Sequence, residues 1–327
     1  MIKRIFAIPL TVLGIGLHAW SAGVLYYCLP LDAFLRMIIA IAYVLAIISF
    51  VIFSKKHATA FLISLLGYCV IVAWFGSIEP EAGGVFPPEL AMPHAEIQGD
   101  KLTMYNVRNC NYRTKDDFDV KYETRTYDLK DIQSIDMLVN YWGIESVAHT
   151  FLSFGFSDGR YLCVSVEIRP EVGQTYGELK GLFKQYQLIY IWADERDLIR
   201  LRTNYKNEDV YLYRTRFSHN EVKKLFLSMI ESTNAIYKEP FFYNTATHSC
   251  TNTIGHHINA SGIYKIPWYK RRLLTGTVDK RAYDADAFIM SMPFAEFRKD
   301  ALIDDRARAA DKSPDFSKKI RTHLGVK

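Results

Sequence analysis

No two cysteines stand at C-x-x-C spacing and no H-E-x-x-H run occurs in the 327 residues, so the compact ligand patterns of a zinc site are missing. Charge of one sign is scarce as well. Lys and Arg number 40 against 35 Asp and Glu, a formal net charge of +5 with acids and bases interleaved, which provides no basic stripe for a nucleic acid. Internal repeats and low-complexity tracts are absent. Cysteines number only five. Cys28 and Cys69 fall in apolar runs, which leaves Cys110, Cys163 and Cys250. An odd number outside the runs means at least one unpaired thiol, and Cys110 with Cys163 is the one pairing that suggests itself, although Cys163 in mid-strand reads first as core.

What the sequence does have is apolar residues concentrated at one end. Three long runs, about Ile5 to Leu29, Phe34 to Phe53 and Ala60 to Ile78, each suffice to cross a hydrocarbon core ~30 Å thick, which takes ~20 helical residues. Lys3 and Arg4 precede the first, and "SKKHA" (Ser54 to Ala58) separates the second from the third. The positive-inside rule therefore puts the N-terminus in the cytoplasm and everything after Ile78 outside it. A cleaved signal peptide ending near "AWSAG" (Ala19 to Gly23) is the rival reading, opposed by the apolar residues that continue past that point. Arg36 snorkels to the outer interface, and His18 reads as a polar group packed between helices. These features divide the chain into a membrane domain (1–78), a Pro- and Gly-rich linker (79–93) and an extracytoplasmic domain (94–327).

Strands are expected at Ile135 to Trp142, Val147 to Phe156, Tyr161 to Arg169, Gln187 to Ala193 and Asp209 to Thr215, from β-branched and aromatic runs. "SDGR" (Ser157 to Arg160) between the second and third signals a hairpin. A helix begins at Ser218, where Ser218 and Glu221 form a capping box ahead of Val222, Leu225, Phe226, Met229 and Ile230 at helical spacing. Strands followed by helix predict an α+β domain on an antiparallel sheet. Phe294 to Ala310 reads as one amphipathic helix, with the residues from Pro314 onward mobile.

The segment "FFYNTATHSCTNTIGHHI" (Phe241 to Ile258) puts Cys250 in the first turn of a short helix capped by Thr247 or Ser249. There the unpaired N–H groups and the helix dipole favour a thiolate and supply half of an oxyanion hole. His257 falls on the same face but ~10 Å along the axis, His256 points away, and His248 reaches the sulfur only through an unusual turn. His149, on a strand, is the better base. A two-residue turn at Asp158-Gly159 sets His149 opposite Ile168 and beside Glu167, the group to orient the imidazole; a one-residue slip brings in Ser165 or Arg169 instead. A lone cysteine among polar residues also suits a structural role, and a lone strand histidine a core position.

The motifs "YETRTYDL" (Tyr122 to Leu129), "YWG" (Tyr141 to Gly143), "AHTFLSFGFSDGRYL" (Ala148 to Leu162), "SVEIRPE" (Ser165 to Glu171), "DERDLIRLRTNY" (Asp194 to Tyr205) and "FYNTATHSCTN" (Phe242 to Asn252) together resemble the Lnb-type exported domain, from about Arg108 to beyond Cys250. The resemblance implies a bacterial membrane protein related to a lipoprotein intramolecular acyltransferase. It also implies a permuted papain-like fold of the NlpC/P60 and lecithin:retinol acyltransferase type, in which a strand histidine precedes the cysteine. Carried over by motif, Cys250 is the nucleophile, His149 the base and Glu167 its orienter. Tyr141, Asn244, Ser249 and Arg169 are further candidates for substrate or oxyanion contacts. Where the family pattern has Asn before the cysteine this chain has Ser249, preceded by His248, which leaves the second oxyanion donor unassigned.

The expectation is thus a membrane-anchored thiol acyltransferase, with three N-terminal transmembrane helices and an α+β extracytoplasmic domain. It would pass a fatty acyl chain from a lipid or lipoprotein ester through a Cys250 thioester to an amine. No cofactor and no metal enter, and the partners are membrane lipids and lipoproteins, with "IYKIPWYKRRLL" (Ile263 to Leu274) as a candidate headgroup contact or an ordinary solvated loop. The alternatives are a cysteine peptidase or amidase acting on cell-envelope peptides, which needs a polar cleft rather than an apolar groove, and a non-catalytic envelope binding protein.

Overall fold

The apolar runs form helices α1 (Ile2–Cys28), α2 (Ala33–Phe53) and α3 (His57–Ser77). The computed structural model of the chain describes residues 2–55, 57–81, 83–143, 145–267 and 275–324. These fall into two units, Met1–Ala82 with Thr175–Tyr186, and Gly83–Gln174 with Gln187–Lys327. Lys56, between the second and third runs, and Trp268 to Leu274 of the aromatic-basic segment lie outside the described residues.

In the first unit Asp32 starts α2 by accepting the N–H groups of Phe34 and Leu35 on its carboxylate. Apolar all round, α2 buries none of its side chains, as suits a helix whose solvent is hydrocarbon. Among the described residues, α2 and the Thr59–Ser77 stretch of α3 are long and apolar enough to cross a membrane. His18 bonds the Tyr43 hydroxyl of α2 at 2.7 Å, the interhelical polar contact expected of it. Thr175–Tyr186, expected with the exported domain, packs with the helices. The Phe183 ring sits 2.4 Å from where a Cβ on Gly23 would lie, so only glycine admits it. Lys184 donates to the carbonyls of Phe75 and Ile78 at 2.7 and 2.8 Å.

The second unit is built on strands β1 (His94–Gln98), β2 (Lys101–Arg108), β3 (Asn111–Tyr112), β4 (Phe118–Asp119), β5 (Tyr122–Asp128), β6 (Ile132–Tyr141), β7 (Ala148–Phe156), β8 (Tyr161–Arg169), β9 (Gln187–Ala193) and β10 (Asp209–Arg214). Among the described residues β1-β2-β9-β8-β7-β6-β10 form one sheet in that order, with β5 also on β2, while β3 and β4 pair separately. The sheet is mixed rather than wholly antiparallel, because β2 meets β9 in parallel at Arg108 and Ala193. Its central strands are buried on both faces, which is why they read as continuous apolar runs. On one face Phe151, Cys163, Ile189 and Ile191 pack against Leu198 and Ile199 of α4 (Glu195–Arg200). On the other, Phe154 and Trp192 pack edge-on to Phe226 of α5 (His219–Lys238), whose Ser218–Glu221 capping box is present. Helix α6 (Cys250–Ala260) lies next to α5 and against β7 and β8.

The Asp-Gly hairpin does form, one residue out of the expected register. Gly159 is left-handed (φ +82°), and Phe156 exchanges bonds with Gly159 and Arg160, so the loop has three residues in place of two. The ladder then runs from Gly155–Tyr161 to Leu152–Val164. Continued at the same register, Glu167 rather than Ile168 comes level with His149.

Two boundary expectations also change. Most of the Pro-rich linker packs on the sheet domain: Val172 bonds to Val85, the Arg169 guanidinium stacks 3.7 Å from the Phe86 ring, and Leu90 and Met92 rest on the core. The expected tail helix is two, α8 (Phe294–Ala301) and α9 (Asp304–Ala309), preceded by α7 (Val278–Asp284). They break where Leu302 bridges to Tyr211 and the Ile303 N–H bonds to Val210. From Asp315 to Leu324 the chain packs on the domain, against expectation. Phe316 of α10 (Phe316–Lys319) and Ile320 fill the core, and Arg321, 2% exposed, bonds Asp136 at 2.7 Å and Glu195 at 2.5 Å. Asp136 is also paired with Arg214.

Removing a partner from so buried a charge network strands the rest. Arg321→Ala is expected to destabilise the sheet domain by about 3–5 kcal/mol, read as a lower midpoint in chemical denaturation. A change below about 1 kcal/mol would mean that the tail is not seated there.

Candidate active site

The loop before α6 is shaped by side chains the sequence had nominated for substrate contacts. Asn244 accepts the N–H groups of Ala246 and Thr247 on its side-chain oxygen, both at 3.0 Å, an Asx turn that reverses the chain. Ser249 is the N-cap residue with extended backbone (φ −78°, ψ 169°), and its carbonyl accepts from Thr253 at 2.9 Å; its hydroxyl caps nothing. Cys250 therefore enters in the first turn, among amides with no partner within the helix.

The sheet supplies an opening for it. Past Leu152 and Val164 strands β7 and β8 no longer pair with each other, while β7 stays on β6 as far as Ala148 and β8 stays on β9 as far as Arg169. One backbone edge freed in this way serves the thiol: the Thr150 N–H favours the charged form of the Cys250 sulfur. The Thr251 hydroxyl lies 3.8 Å from the same sulfur.

His149 stands on the parted stretch of β7, and its imidazole interacts electrostatically with the Cys250 sulfur. On the far side of the ring, Nε2 lies 2.6 Å from the Ser165 hydroxyl and 3.1 Å from Glu167 Oε1. Ser165, fully buried, gives its own proton to Glu167 Oε1 at 2.6 Å, so it accepts from His149 and Nε2 carries a hydrogen. Nδ1 is then the nitrogen left to face the sulfur. The expected one-residue ambiguity is resolved in an unforeseen way, since Ser165 and Glu167 share a face of β8 and both serve.

Arg202 was not foreseen in the sequence. It bonds Glu167 Oε1 at 2.9 Å from a π-helical turn (Leu201–Lys206) that continues α4 and ends at left-handed Asn207. Its other nitrogens donate to Asn140 (3.3 Å) and the Leu198 carbonyl (3.0 Å), and its guanidinium lies 4.9 Å from the Phe151 ring. Five arginines occur from Arg196 to Arg216, both included, and local spacing does not distinguish this one. The wider turn does.

These contacts fix the charges. Burial would push the His149 imidazolium down, but the Glu167 carboxylate and the Cys250 sulfur outweigh it and raise the pKa to about 10. Burial likewise works to raise the Cys250 thiol; the His149 charge and hydrogen bond and the Thr150 N–H overcome it and bring the thiol below its usual range. Glu167, despite burial, is held well below the usual carboxylate range by His149 and Arg202. Both shifts favour a thiolate facing an imidazolium, a pair suited to attack on a carbonyl carbon followed by proton delivery to the leaving group.

The remaining candidates lie elsewhere. The Tyr141 hydroxyl donates to the Gly276 carbonyl at 3.0 Å, inside the fold. Arg169 is committed to Leu90, Gln187 and Phe86. His248 bonds Thr247, His256 is exposed, and buried His257 sits between Tyr190 and Ser228. Cys110 and Cys163 are both free and buried. Among the described residues, no group of three or more His, Cys, Asp or Glu is arranged to hold a metal ion.

A thiol on a helix N-terminus, facing a strand imidazole anchored by a carboxylate, is thus the chemical core of an exported mixed α/β domain. Residues 118–275, which contain Cys250, His149, Ser165, Glu167 and Arg202, match the family model of the Lnb N-terminal periplasmic domain. Neither the curated proteins nor the solved structures contain a match to the chain.

The thiolate is expected to persist below the usual thiol range near 8–9. In the full-length protein, alkylation of Cys250 by iodoacetamide, followed by peptide mass spectrometry, should stay fast at neutral pH and fall only as pH drops through the lowered thiol value. His149→Ala should slow it at neutral pH by at least about tenfold, one pKa unit. Glu167→Gln should slow it less. Unchanged rates in His149→Ala would contradict the ion pair.

Proposed function

We propose that this protein is a membrane-anchored thiol acyltransferase of the cell envelope, acting on acyl esters of lipids or lipoproteins. Its helices would cross the membrane three times with the N-terminus inside. The reading rests chiefly on Cys250: a thiol at the N-terminus of α6 whose charged form is favoured by His149 and the Thr150 N–H, with Glu167 3.1 Å from the imidazole.

In the first half of the reaction the Cys250 sulfur attacks the ester carbonyl carbon, and the C=O π electrons move onto oxygen. The α6 amides and the Thr150 N–H are the available donors to that oxyanion. Collapse re-forms the carbonyl and expels the alkoxide, which takes the His149 proton and leaves as an alcohol. The acyl group stays as a thioester on Cys250. In the second half an amine attacks the thioester, neutral His149 accepts the ammonium proton, and the thiolate departs, leaving an amide. Ser165 and Glu167 keep Nδ1 aimed at the sulfur throughout, and Arg202 keeps Glu167 ionised. Anchoring by helices suits a substrate whose chains stay in the bilayer.

Intact-mass analysis of the full-length protein in nanodiscs, incubated with a phospholipid donor, should show one acyl increment on Cys250 that neutral hydroxylamine removes. Cys250→Ser should lose the hydroxylamine-labile adduct. Cleavage of an envelope peptide amide with no acyl adduct would replace this reading with the amidase one.

A further inference from the structure

Beside α6, within the sheet domain, lies a cavity of about 770 Å³, a size that holds small-molecule ligands. It is bounded by α5, α6, β9 and the turn at residues 239–241. Cys250 is not on its wall, but residues on both sides of it in the chain are. Thr247 and His248, just before the cysteine, line one end, Thr253 lies one turn after it, and His257 marks the far end, ~10 Å along the helix axis.

The floor and the rim differ. Leu188, Tyr190, Ile236 and His257 on the floor are each less than 10% exposed, whereas Glu239, Phe241 and His256 at the rim are exposed. Floor polarity is largely spent within the protein: the Tyr190 hydroxyl meets His257 Nε2 at 2.7 Å, and the Ser228 hydroxyl meets Nδ1 at 2.8 Å. Burial pushes the His257 pKa down to about 4, so the ring is neutral. The Thr253 hydroxyl is buried without a partner. The floor therefore carries no formal charge, while an aromatic ring 46% exposed stands at the entrance. A charged headgroup would find no counter-charge inside; a hydrocarbon chain would displace only water from Leu188 and Ile236.

We infer that this cavity holds the aliphatic chain of the acyl group while its carboxyl carbon is bonded to Cys250. The chain would run alongside α6 from the sulfur toward His257, with Glu239 and His256 at the solvent edge. The inference rests on the thioester chemistry proposed above and adds where the chain goes. It explains why α6 presents buried Thr253 and His257 to an open space when a packed helix would fill it.

The test uses the full-length wild-type protein in nanodiscs and a long-chain activated ester with a diazirine near the end of its chain. After loading, irradiation converts the diazirine to a carbene with loss of nitrogen, and the carbene inserts into neighbouring bonds. Peptide mass spectrometry should find a hydroxylamine-labile adduct on Cys250 and photolabel on Leu188, Ile236 or Phe241. An adduct on Cys250 with photolabel only in nanodisc lipid or elsewhere in the chain overturns the role of the cavity and leaves the thioester chemistry standing. No adduct on Cys250 with esters of any chain length overturns both.

Discussion

The parting of β7 from β8 is the feature on which the site depends. A continuous ladder would tie up the N–H of Thr150 and bring the two strands too close for a helix terminus to reach the imidazole between them. Because the ladder stops at Leu152 and Val164 while each strand keeps its outer partner, the sheet opens locally without losing order. His149 and Glu167 sit at this opening, bridged by the Ser165 hydroxyl. The Thr150 N–H, outside the β7–β8 ladder, instead favours the thiolate form of Cys250.

The opening also concentrates charge, which the low dielectric of the interior punishes unless every member is paired. Sulfur, imidazolium, carboxylate and guanidinium alternate in sign from Cys250 through His149 and Glu167 to Arg202. His149 favours the charged forms of both Cys250 and Glu167, and their negative charges favour the imidazolium. The π-turn that carries Arg202 makes sense in these terms. Arg202 reaches Glu167 from this wider turn, which left-handed Asn207 closes.

How far the sequence showed this depends on the kind of signal involved. Tyr161–Arg169 and Gln187–Ala193 were legible to the residue, because strands covered on both faces write continuous apolar runs between polar breaks. Cys250, His149 and Glu167 were legible by chemistry and motif, since few residue types make a nucleophile, a base and an orienter. The hairpin register was missed by one residue because "SDGR" fits a two-residue and a three-residue loop equally, and only the φ of Gly159 decides. Arg202 was hidden because its role comes from a helix distortion and a partner on another strand. The tail was misread because polar residues after Pro314 look solvated; Phe316 and Ile320, four apart, were the clue to a buried turn, and Arg321 is buried only because Asp136 and Glu195 await it.

The account turns on the protonation state of one ring among nine histidines. Nitrogen-15 NMR of histidine-labelled full-length protein in bilayers, with the His149 signal identified by its loss in His149→Gln, reads that state directly. Both ring nitrogens should be protonated at neutral pH, and the ring should become neutral at lower pH once Cys250→Ala removes the facing negative charge. A neutral His149 at pH 7 in the unmodified protein would contradict the ion pair, and with it the account of the site.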